Sequence, residues 1–403
     1  MLTTDQKHSI GGFCDPQYLS VKKAFEENFI SRGEIGASVS LMQGDKVVVD
    51  LWGGYLDADK SRPWEKDSLC TVWSLGKAVT AICALQLIEK NLMELDKPVA
   101  DYWPEFASNG KSDITVRHLL SHRAGLPALQ EPPPNRIWQN NALFIEMLGR
   151  QKAWWPAGEK HGYHVHTFAS LVGELVKRIS GQSLSDYCQE NIAEPLGIDF
   201  YFSNDQHIDI KIADNIWEML AAKDKSKTVN SAVSIPEDKD TRRQRLSYMP
   251  SLDFSEHHGI NSRAWRSAEF PSTASHSNAR SLARVFGALA NNGIYIDPDG
   301  RTRELLQAET ISMARQIEAN DIDATIGKPT RFGLGFMLTS PERPWGPNPN
   351  CFGHYGNNGL LGFADPDAKI GFAYTMNRQG RAWRDPRNIA LVDAVYENIE
   401  HRE

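Results

Sequence analysis

Ser74-Leu75-Gly76-Lys77 is the stretch that decides how this chain folds, because a strand signal precedes it and a helix signal follows it. Val47-Val48-Val49-Asp50-Leu51-Trp52 predicts a strand, and Ala78 to Lys90 predicts a helix that is apolar nearly all round. Ser74 and Lys77 therefore fall in the first helical turn, on one face. A hydroxyl is a poor nucleophile at neutral pH, and an amine that burial keeps neutral can take its proton. The stretch predicts a serine hydrolase.

The spacing alone is not specific, because the pattern Ser-x-x-Lys occurs at three places: Ser20/Lys23, Ser74/Lys77 and Ser108/Lys111. The first pair opens an amphipathic helix with two adjacent lysines, and the third has the composition of an exposed turn. Only Ser74 opens a helix that should be buried, where an unpaired lysine is costly. The structural alternative for this pair is an N-cap serine followed by a lysine that reaches out to solvent.

The composition excludes several classes of function. The 403 residues can form two domains or one large one. A formal net charge of -7 and the lack of a basic stripe argue against a nucleic-acid partner. The sequence contains no run of membrane-span length, and its first residues lack the apolar core of a signal peptide. We therefore expect a cytoplasmic protein, whose oligomeric state the sequence does not reveal.

Strand signals lie toward both ends of the chain, and helical periodicity lies between them. Strands are predicted at Ile35 to Leu41, Val47 to Trp52, Gly333 to Leu338, Gly359 to Ala364 and Ile370 to Met376. Helices are predicted at 18–30, Ala78 to Lys90, Val116 to Ser121, Asn141 to Arg150, Phe168 to Ser180, Ser183 to Ile192, Ala279 to Asn291 and Arg387 to Ile399. The charged run from Glu237 to Arg245 is predicted to be a solvated surface segment.

This arrangement predicts an α/β fold in which both ends of the chain contribute to one sheet. Residues 1–85 and 280–403 are expected to form an α/β domain. Residues 86–279 are expected to form a mainly helical inserted domain with irregular loops. The cleft between the two parts would be the natural active site.

Two further segments carry residues with useful chemistry: Gly158-Glu-Lys-His-Gly-Tyr163-His-Val-His166, and Cys351-Phe-Gly-His354-Tyr-Gly356-Asn-Asn-Gly. With the Ser74 segment they resemble β-lactamase-like serine hydrolases: class C β-lactamases, penicillin-binding DD-peptidases and, most closely, family VIII carboxylesterases. Those proteins carry Ser-x-x-Lys at a helix start, Tyr-x-Asn in the middle, and Lys-Thr-Gly or a His/Trp-x-Gly variant on a strand. Further family-like segments, from roughly residue 30 to 378, are Asp50–Gly54, Ile114–His122, Ala124–Pro127, Glu194–Gly197, Ala279–Arg284 and Phe332–Phe336.

The resemblance implies a β-lactamase/transpeptidase-like fold, with an antiparallel sheet flanked by helices, and the roles of three catalytic residues. Ser74 would be the nucleophile, and Lys77 the amine that helps to deprotonate it. Tyr163 would be the partner base and later the acid for the leaving group. A tyrosine can serve at neutral pH only if nearby cations lower its pKa, and Lys77 is the obvious candidate. The structural alternative for Tyr163 is an amphipathic core residue.

The third motif is implied to complete the site. His354 would orient Tyr163 or donate a hydrogen bond to the substrate, unless it is a satisfied structural histidine. Gly356 lets the strand backbone approach the substrate closely. The backbone N–H groups of Ser74 and Asn357 would form the oxyanion hole.

Two departures from the family pattern bear on the substrate. Val165 stands where the family has the asparagine that would hold the lysine amine and a substrate amide. His354 replaces the lysine that favours a substrate carboxylate. Both changes weaken the case for β-lactams or peptidoglycan and favour simple esters.

The first hypothesis is therefore a carboxylesterase for a small-molecule ester, without metal or organic cofactor. The alternatives are a β-lactamase or D-amino-acid peptidase, and an inactive scaffold with a role in binding or assembly. No Gly-x-Ser-x-Gly elbow marks an α/β-hydrolase. The pairs His164/His166 and His257/His258 suggest metal only weakly, because no acidic or cysteine partner sits at ligand spacing.

Overall fold

The chain folds around one large antiparallel sheet. The computed structural model describes residues 10–217, 238–248 and 259–399. Its strands are β1 (Ile10–Cys14), β2 (Gly36–Gln43), β3 (Lys46–Gly54), β4 (Cys70–Thr71), β5 (Phe200–Tyr201), β6 (His276–Ser277), β7 (Ile294–Ile296), β8 (Thr302–Glu304), β9 (Ala319–Ile322), β10 (Pro329–Phe332), β11 (Met337–Leu338), β12 (Phe352–Tyr355), β13 (Leu361–Asp365) and β14 (Ile370–Met376).

The main sheet has nine strands in the order β1-β3-β2-β14-β13-β12-β11-β10-β9, each antiparallel to its neighbours. β2 pairs with β3 on one side and with β14 on the other, with Gly371 opposite Met42. Strands from the two ends of the chain are therefore hydrogen-bonded neighbours, as the sequence predicted. The short strands β4, β6 and β5 form a second sheet, and β7 pairs with β8.

Helices cover the sheet and fill the region beside it. They are α1 (Leu19–Ser31), α2 (Leu75–Glu89), α3 (Val116–Leu120), α4 (Asn141–Arg150), α5 (Phe168–Ser180), α6 (Leu184–Cys188), α7 (Glu194–Leu196), α8 (Lys239–Ser247), α9 (Arg263–Arg266), α10 (Ala279–Ala290), α11 (Ala308–Ala314) and α12 (Pro386–Tyr396). α10 packs on β14, β2 and β13, and α1 packs on α12. The contact with the sheet is close, because a Cβ on Gly371 would collide with the backbone of Gly287 in α10.

Helix α2 is the buried helix that its apolar sequence predicts. Its residues from Leu75 to Leu87 are all buried, and it packs on α5, α6 and β12. Ser74 is the N-cap residue, and Trp73 before it adopts the left-handed conformation, with φ of 54°. Gly76 allows the segment around Pro271 and Ser275 to lie against the first turn, since a Cβ there would meet Ser275 Oγ at 2.4 Å. The first turn of α2 is therefore fixed against a distant part of the chain.

Several local predictions agree with the structure. Strand β14 and helices α4 and α5 begin and end at the predicted residues. The turn at Gly44 joins β2 to β3 as the hairpin signal indicated. The division into two domains stays a prediction. Within the described ranges, no helix has the length and apolar character needed to cross a bilayer.

Other local predictions were wrong. The segment Gly333–Phe336 is a turn between β10 and β11 rather than part of a strand, with Gly335 at φ +81°. The charged run is exposed over residues 238–242 as predicted, but Lys239–Ser247 is a helix, and the buried side chain of Arg243 lies over the Trp155 ring. Strand β1 was not predicted, because its Gly-Gly sequence lacks an alternating pattern.

Candidate active site

A cavity of about 940 Å³ opens at the N-terminal end of α2. Four of the predicted site residues line it: Ser74, Tyr163, Gly356 and Asn357. The other two, Lys77 and His354, are fully buried and do not line the cavity. Three elements far apart in sequence therefore meet at this point, as the resemblance implied.

Lys77 contacts the Ser74 hydroxyl directly. Its Nζ lies 2.8 Å from Ser74 Oγ and donates to the carbonyl oxygen of Ser272 at 3.1 Å. The lysine side chain is 0% exposed, and burial holds its pKa well below the usual range. An amine in this state is neutral and has a lone pair that can accept the hydroxyl proton of Ser74.

The Ser272 carbonyl contacts the Lys77 amine, a contact that the asparagine of the family would otherwise make. Val165, at that position, lines the cavity with an apolar side chain. The polar contact to the lysine amine comes instead from the backbone of Ser272. Ser272 Oγ in turn accepts a hydrogen bond from the backbone N–H of Ala169 in α5, which fixes this segment.

Tyr163 lies beside Lys77, but its protonation state differs from the prediction. Lys77 Nζ is 5.0 Å from the centre of the tyrosine ring. Burial raises the pKa of Tyr163 above its ordinary value, and a contact with Ser74 offsets this only in part. The expected lowering of this pKa is not observed, because burial is the larger effect. Tyr163 is therefore a neutral phenol, and its hydroxyl forms no hydrogen bond of normal geometry with the described residues.

The third motif supplies a buried histidine and a close backbone approach. Nδ1 of His354 lies 2.7 Å from the Tyr355 carbonyl, and its ring centre is 6.0 Å from that of Tyr163. Burial lowers the pKa of His354 to about 3, so the ring is neutral. A Cβ on Gly356 would lie 2.9 Å from the carbonyl oxygen of Val72, which explains the glycine. These contacts place His354 behind the cavity wall, beside Tyr163.

Two backbone amides of the cavity lining have no hydrogen-bond acceptor among the described residues. Gly356 N–H donates to Leu360 O at 2.7 Å and is therefore occupied. The N–H groups of Ser74 and Asn357, in contrast, donate to no acceptor among the described residues, although both residues line the cavity.

Sequence reasoning missed His122 as part of this site. Its ring centre lies 5.1 Å from that of Tyr163 and 4.6 Å from that of Phe332, and its Nδ1 accepts a hydrogen bond from His164 N. Burial holds its pKa well below the ordinary value. A backbone φ of 61° turns the chain at this residue. The signal was present, since His122 ends one of the family-like segments, but nothing local linked it to Tyr163.

Asp323 was also missed, and it fixes the backbone of Tyr163. Both of its carboxylate oxygens lie 3.0 Å from Tyr163 N, and it also accepts from Thr325 N, Ile326 N and Thr330 Oγ1. The side chain is 0% exposed. A buried carboxylate with this many donors holds one geometry, so Asp323 acts as a positioning residue for Tyr163.

The His164/His166 pair, which was considered as a metal site, forms hydrogen bonds within the protein. His164 bonds to Gly162 O through Nδ1 and accepts from Leu126 N through Nε2, and His166 Nδ1 lies 2.8 Å from Thr273 Oγ1. Burial lowers the pKa of both rings to about 3. The part of the chain that the structure describes has no group of three or more residues arranged to hold a metal. His257 and His258 lie outside the described residues.

Comparison with known proteins supports the resemblance and the fold. The model of the Beta-lactamase family matches residues 21–397. The chain is similar to the esterase/beta-lactamase LipL of Mycobacterium tuberculosis, with 28% identity over 93% of this chain and 84% of LipL. The solved structure of a family VIII carboxylesterase is 34% identical with a TM-score of 0.86, covering 97% of this chain and 100% of that one. A penicillin-binding protein homolog from Caulobacter crescentus is 32% identical with a TM-score of 0.84, at the same coverage. This chain therefore belongs to the Beta-lactamase family.

Proposed function

We propose that this protein hydrolyses carboxylic esters of small molecules through an acyl-enzyme formed on Ser74. The observation that carries the proposal is the contact of 2.8 Å between Ser74 Oγ and the buried amine of Lys77 at the edge of a large cavity. Burial keeps that amine neutral, which is the state in which it can remove the hydroxyl proton. The similar proteins described as an esterase/beta-lactamase and as a family VIII carboxylesterase support the same chemistry.

The first half of the reaction forms the acyl-enzyme. The Ser74 hydroxyl gives its proton to Lys77 Nζ while Oγ bonds to the ester carbonyl carbon. The carbonyl oxygen becomes negative and is stabilised by the N–H groups of Ser74 and Asn357. When the carbon–oxygen bond to the alcohol breaks, Tyr163 donates a proton to the leaving oxygen and is reprotonated from Lys77. A phenol with a raised pKa suits this role, because it holds its proton until an alkoxide forms.

The second half reverses these proton transfers with water. Lys77, neutral again, accepts a proton from water through the Tyr163 hydroxyl, and the oxygen of that water attacks the acyl carbon. Collapse of the second tetrahedral intermediate returns the proton to Ser74 Oγ and releases the carboxylic acid. Asp323 keeps the backbone of Tyr163 in place throughout, through its two contacts of 3.0 Å.

The geometry favours esters over the alternative substrates. Lys77 takes its polar contact from Ser272, and the apolar side chain of Val165 faces the cavity. A substrate amide therefore has no asparagine to bind at this position. His354 is neutral and does not line the cavity, so any cation that meets a substrate carboxylate comes from outside the third motif.

The test compares Ser74→Ala with Ser108→Ala on short p-nitrophenyl esters and on nitrocefin. We expect ester turnover in the wild type and a loss of at least about 10⁴-fold for Ser74→Ala, because the nucleophile is removed. Ser108→Ala should behave as the wild type, since its hydroxyl is bonded to Gly149 O. Ester turnover that survives in Ser74→Ala refutes the proposal. Turnover of nitrocefin alone points to the β-lactamase alternative, and turnover of neither points to an inactive scaffold.

A further inference from the structure

One wall of the cavity is basic, although the whole chain is acidic. The formal net charge of the chain is -7. Within the described ranges, however, the residues that line this cavity include four basic side chains and one acidic side chain. The five are Glu342, Lys328, Arg343, Arg381 and Arg384. The lining also contains aromatic rings, including Trp73, Trp217 and Tyr248. A cavity that combines basic and aromatic side chains favours a ligand that has both an apolar part and an anionic group.

Arg343 is held in place close to the catalytic tyrosine. Its Nη1 donates to Pro329 O at 2.8 Å, and its guanidinium carbon lies 4.8 Å from the ring centre of Trp383. The ring of Trp383 packs edge-to-face against Tyr163, with centres 5.8 Å apart. One indole ring therefore separates the Arg343 guanidinium group from Tyr163. A small ester can span this separation.

Arg343 forms no salt bridge with a carboxylate of residues 10–217, 238–248 or 259–399. Its side chain is half-buried. Burial lowers its pKa from the ordinary value, although Tyr355, Asp323 and Glu342 oppose the effect. One of the five guanidinium N–H donors is used by Pro329, which leaves others for a ligand. A partly desolvated guanidinium of this kind gains from an incoming carboxylate.

Arg384 lies on the same side of the cavity. Its Nη1 donates to Pro344 O at 3.3 Å, and in the described part of the chain it likewise forms no ion pair. Burial raises the pKa of Tyr355 to about 12, and Arg384 and Arg343 both act to lower it. The Tyr355 ring stacks on Trp383 at 5.9 Å. Two guanidinium groups therefore converge around one aromatic stack beside the catalytic residues.

We propose that the ester hydrolysed by this protein carries a carboxylate, which Arg343 and Arg384 bind while the ester carbonyl lies at Ser74. This inference rests on the proposed function and deepens it. Arginine is suited to the task because its planar fork can bind both oxygens of a carboxylate. The third motif has no lysine, but the cavity can still bind an anion through arginines that lie outside that motif.

The experiment uses matched pairs of esters that differ by a methyl group or a carboxylate at the same position. Phenyl hexanoate is paired with monophenyl adipate, which places the anion on the acyl side. 4-Methylphenyl acetate is paired with 4-carboxyphenyl acetate, which places it on the alcohol side. For each pair, the ratio of kcat/KM for the anionic ester to that for the neutral ester is measured in the wild type, Arg343→Gln and Arg384→Gln. Arg331→Gln is the control, because Arg331 also donates to a carbonyl, that of Thr339, but does not line the cavity.

We expect Arg343→Gln to lower this ratio about tenfold to a hundredfold for one pair, mainly by raising KM for the anionic ester. Arg384→Gln should act in the same direction, Arg331→Gln should leave the ratio unchanged, and added salt should lower the ratio in the wild type. The pair that responds shows on which side of the ester the carboxylate lies. If the wild type, Arg343→Gln and Arg384→Gln all hydrolyse the neutral esters, and the ratio is the same in all three proteins for both pairs, this inference is wrong and the proposed function stands. If the wild type hydrolyses none of the four esters, the proposed function fails as well.

Discussion

Of the three lysines that lie three residues after a serine, Lys77 and Lys111 are fully buried, yet they lie in different surroundings. Lys77 contacts the hydroxyl of its serine at 2.8 Å beside the cavity. Lys111 instead donates to the backbone carbonyl of Ser108 at 2.7 Å and to that of Gln151, and it lies over the Phe106 ring. The Ser108 hydroxyl is bonded elsewhere, to Gly149 O. The same spacing thus produces one pair beside the cavity and one pair that holds a surface turn.

The difference teaches that reactivity depends on what the amine contacts. Burial lowers the pKa of Lys111 to about 8, whereas it lowers that of Lys77 well below the usual range. Lys111 satisfies two backbone carbonyls that close a surface turn. Lys77 has a single backbone carbonyl partner among the described residues. Its other hydrogen-bond partner is the hydroxyl of Ser74, which lines the cavity. The turn composition around Ser108 was read correctly, but the buried position of Lys111 was not expected.

The largest expected difference between the two pairs is in kcat, when each lysine is replaced with methionine. Lys77→Met removes the proton acceptor of Ser74, so we expect kcat for a p-nitrophenyl ester to fall about 10³-fold. Lys111→Met leaves the cavity intact and should keep the wild-type kcat, while its melting temperature falls because two carbonyls lose their donor. Steady-state kinetics and thermal unfolding of both variants test the contrast. Equal losses of kcat in the two would remove the distinction between the pairs.

A smaller effect is expected at Tyr163, and its pH dependence is informative. Tyr163→Phe removes the acid for the leaving alcohol and should lower kcat about 10²-fold. In the wild type, kcat/KM should rise with pH as the Lys77 ammonium loses its proton, well below pH 10.5, because burial lowers that pKa. It should then stay level through pH 10, because burial raises the pKa of Tyr163 above its ordinary value. A falling limb between pH 7 and 9 would show that the phenol ionises early and would contradict this assignment.

The smallest effect is on stability, and it has opposite signs at the two lysines. Unfolding lets Lys77 bind a proton at neutral pH, so the free energy of unfolding rises with pH between the folded-state pKa and the unfolded value of about 10.4. Lys77→Met removes this penalty and should raise the free energy of unfolding at pH 7. The gain should shrink as pH approaches about 10. Urea unfolding at pH 7 and 9.5 measures it, and destabilisation by Lys77→Met at pH 7 would refute a neutral buried amine.

The catalytic group was predictable from sequence to the extent that its contacts are local. Ser74 and Lys77 share one helical turn, so their proximity follows from the periodicity of α2. Tyr163 came from the resemblance, whereas the sheet shared by both ends of the chain was predicted from the order of the strand and helix signals. The pKa of Tyr163 was predicted in the wrong direction, because burial is a property of the packed structure and cannot be read from a motif.

The residues that support the site were not predictable, because they reach it through long-range contacts. Ser272 supplies the carbonyl for Lys77 from 195 residues away, and Asp323 accepts from Tyr163 N from 160 residues away. Neither lies in a segment with a recognisable signal. The basic wall around Arg343 comes from loops whose composition is ordinary for a surface. The structure alone shows that these residues face the cavity or its catalytic groups.

The most direct test of the account is reaction with a fluorophosphonate, followed by intact-mass analysis and peptide mapping. An activated serine displaces fluoride from phosphorus, so we expect one adduct per chain, located on Ser74. The labelling rate should fall in Lys77→Met and stay unchanged in Lys111→Met. An adduct on another serine, or labelling of Ser74 at the same rate without Lys77, would contradict the claim that the buried amine activates this hydroxyl.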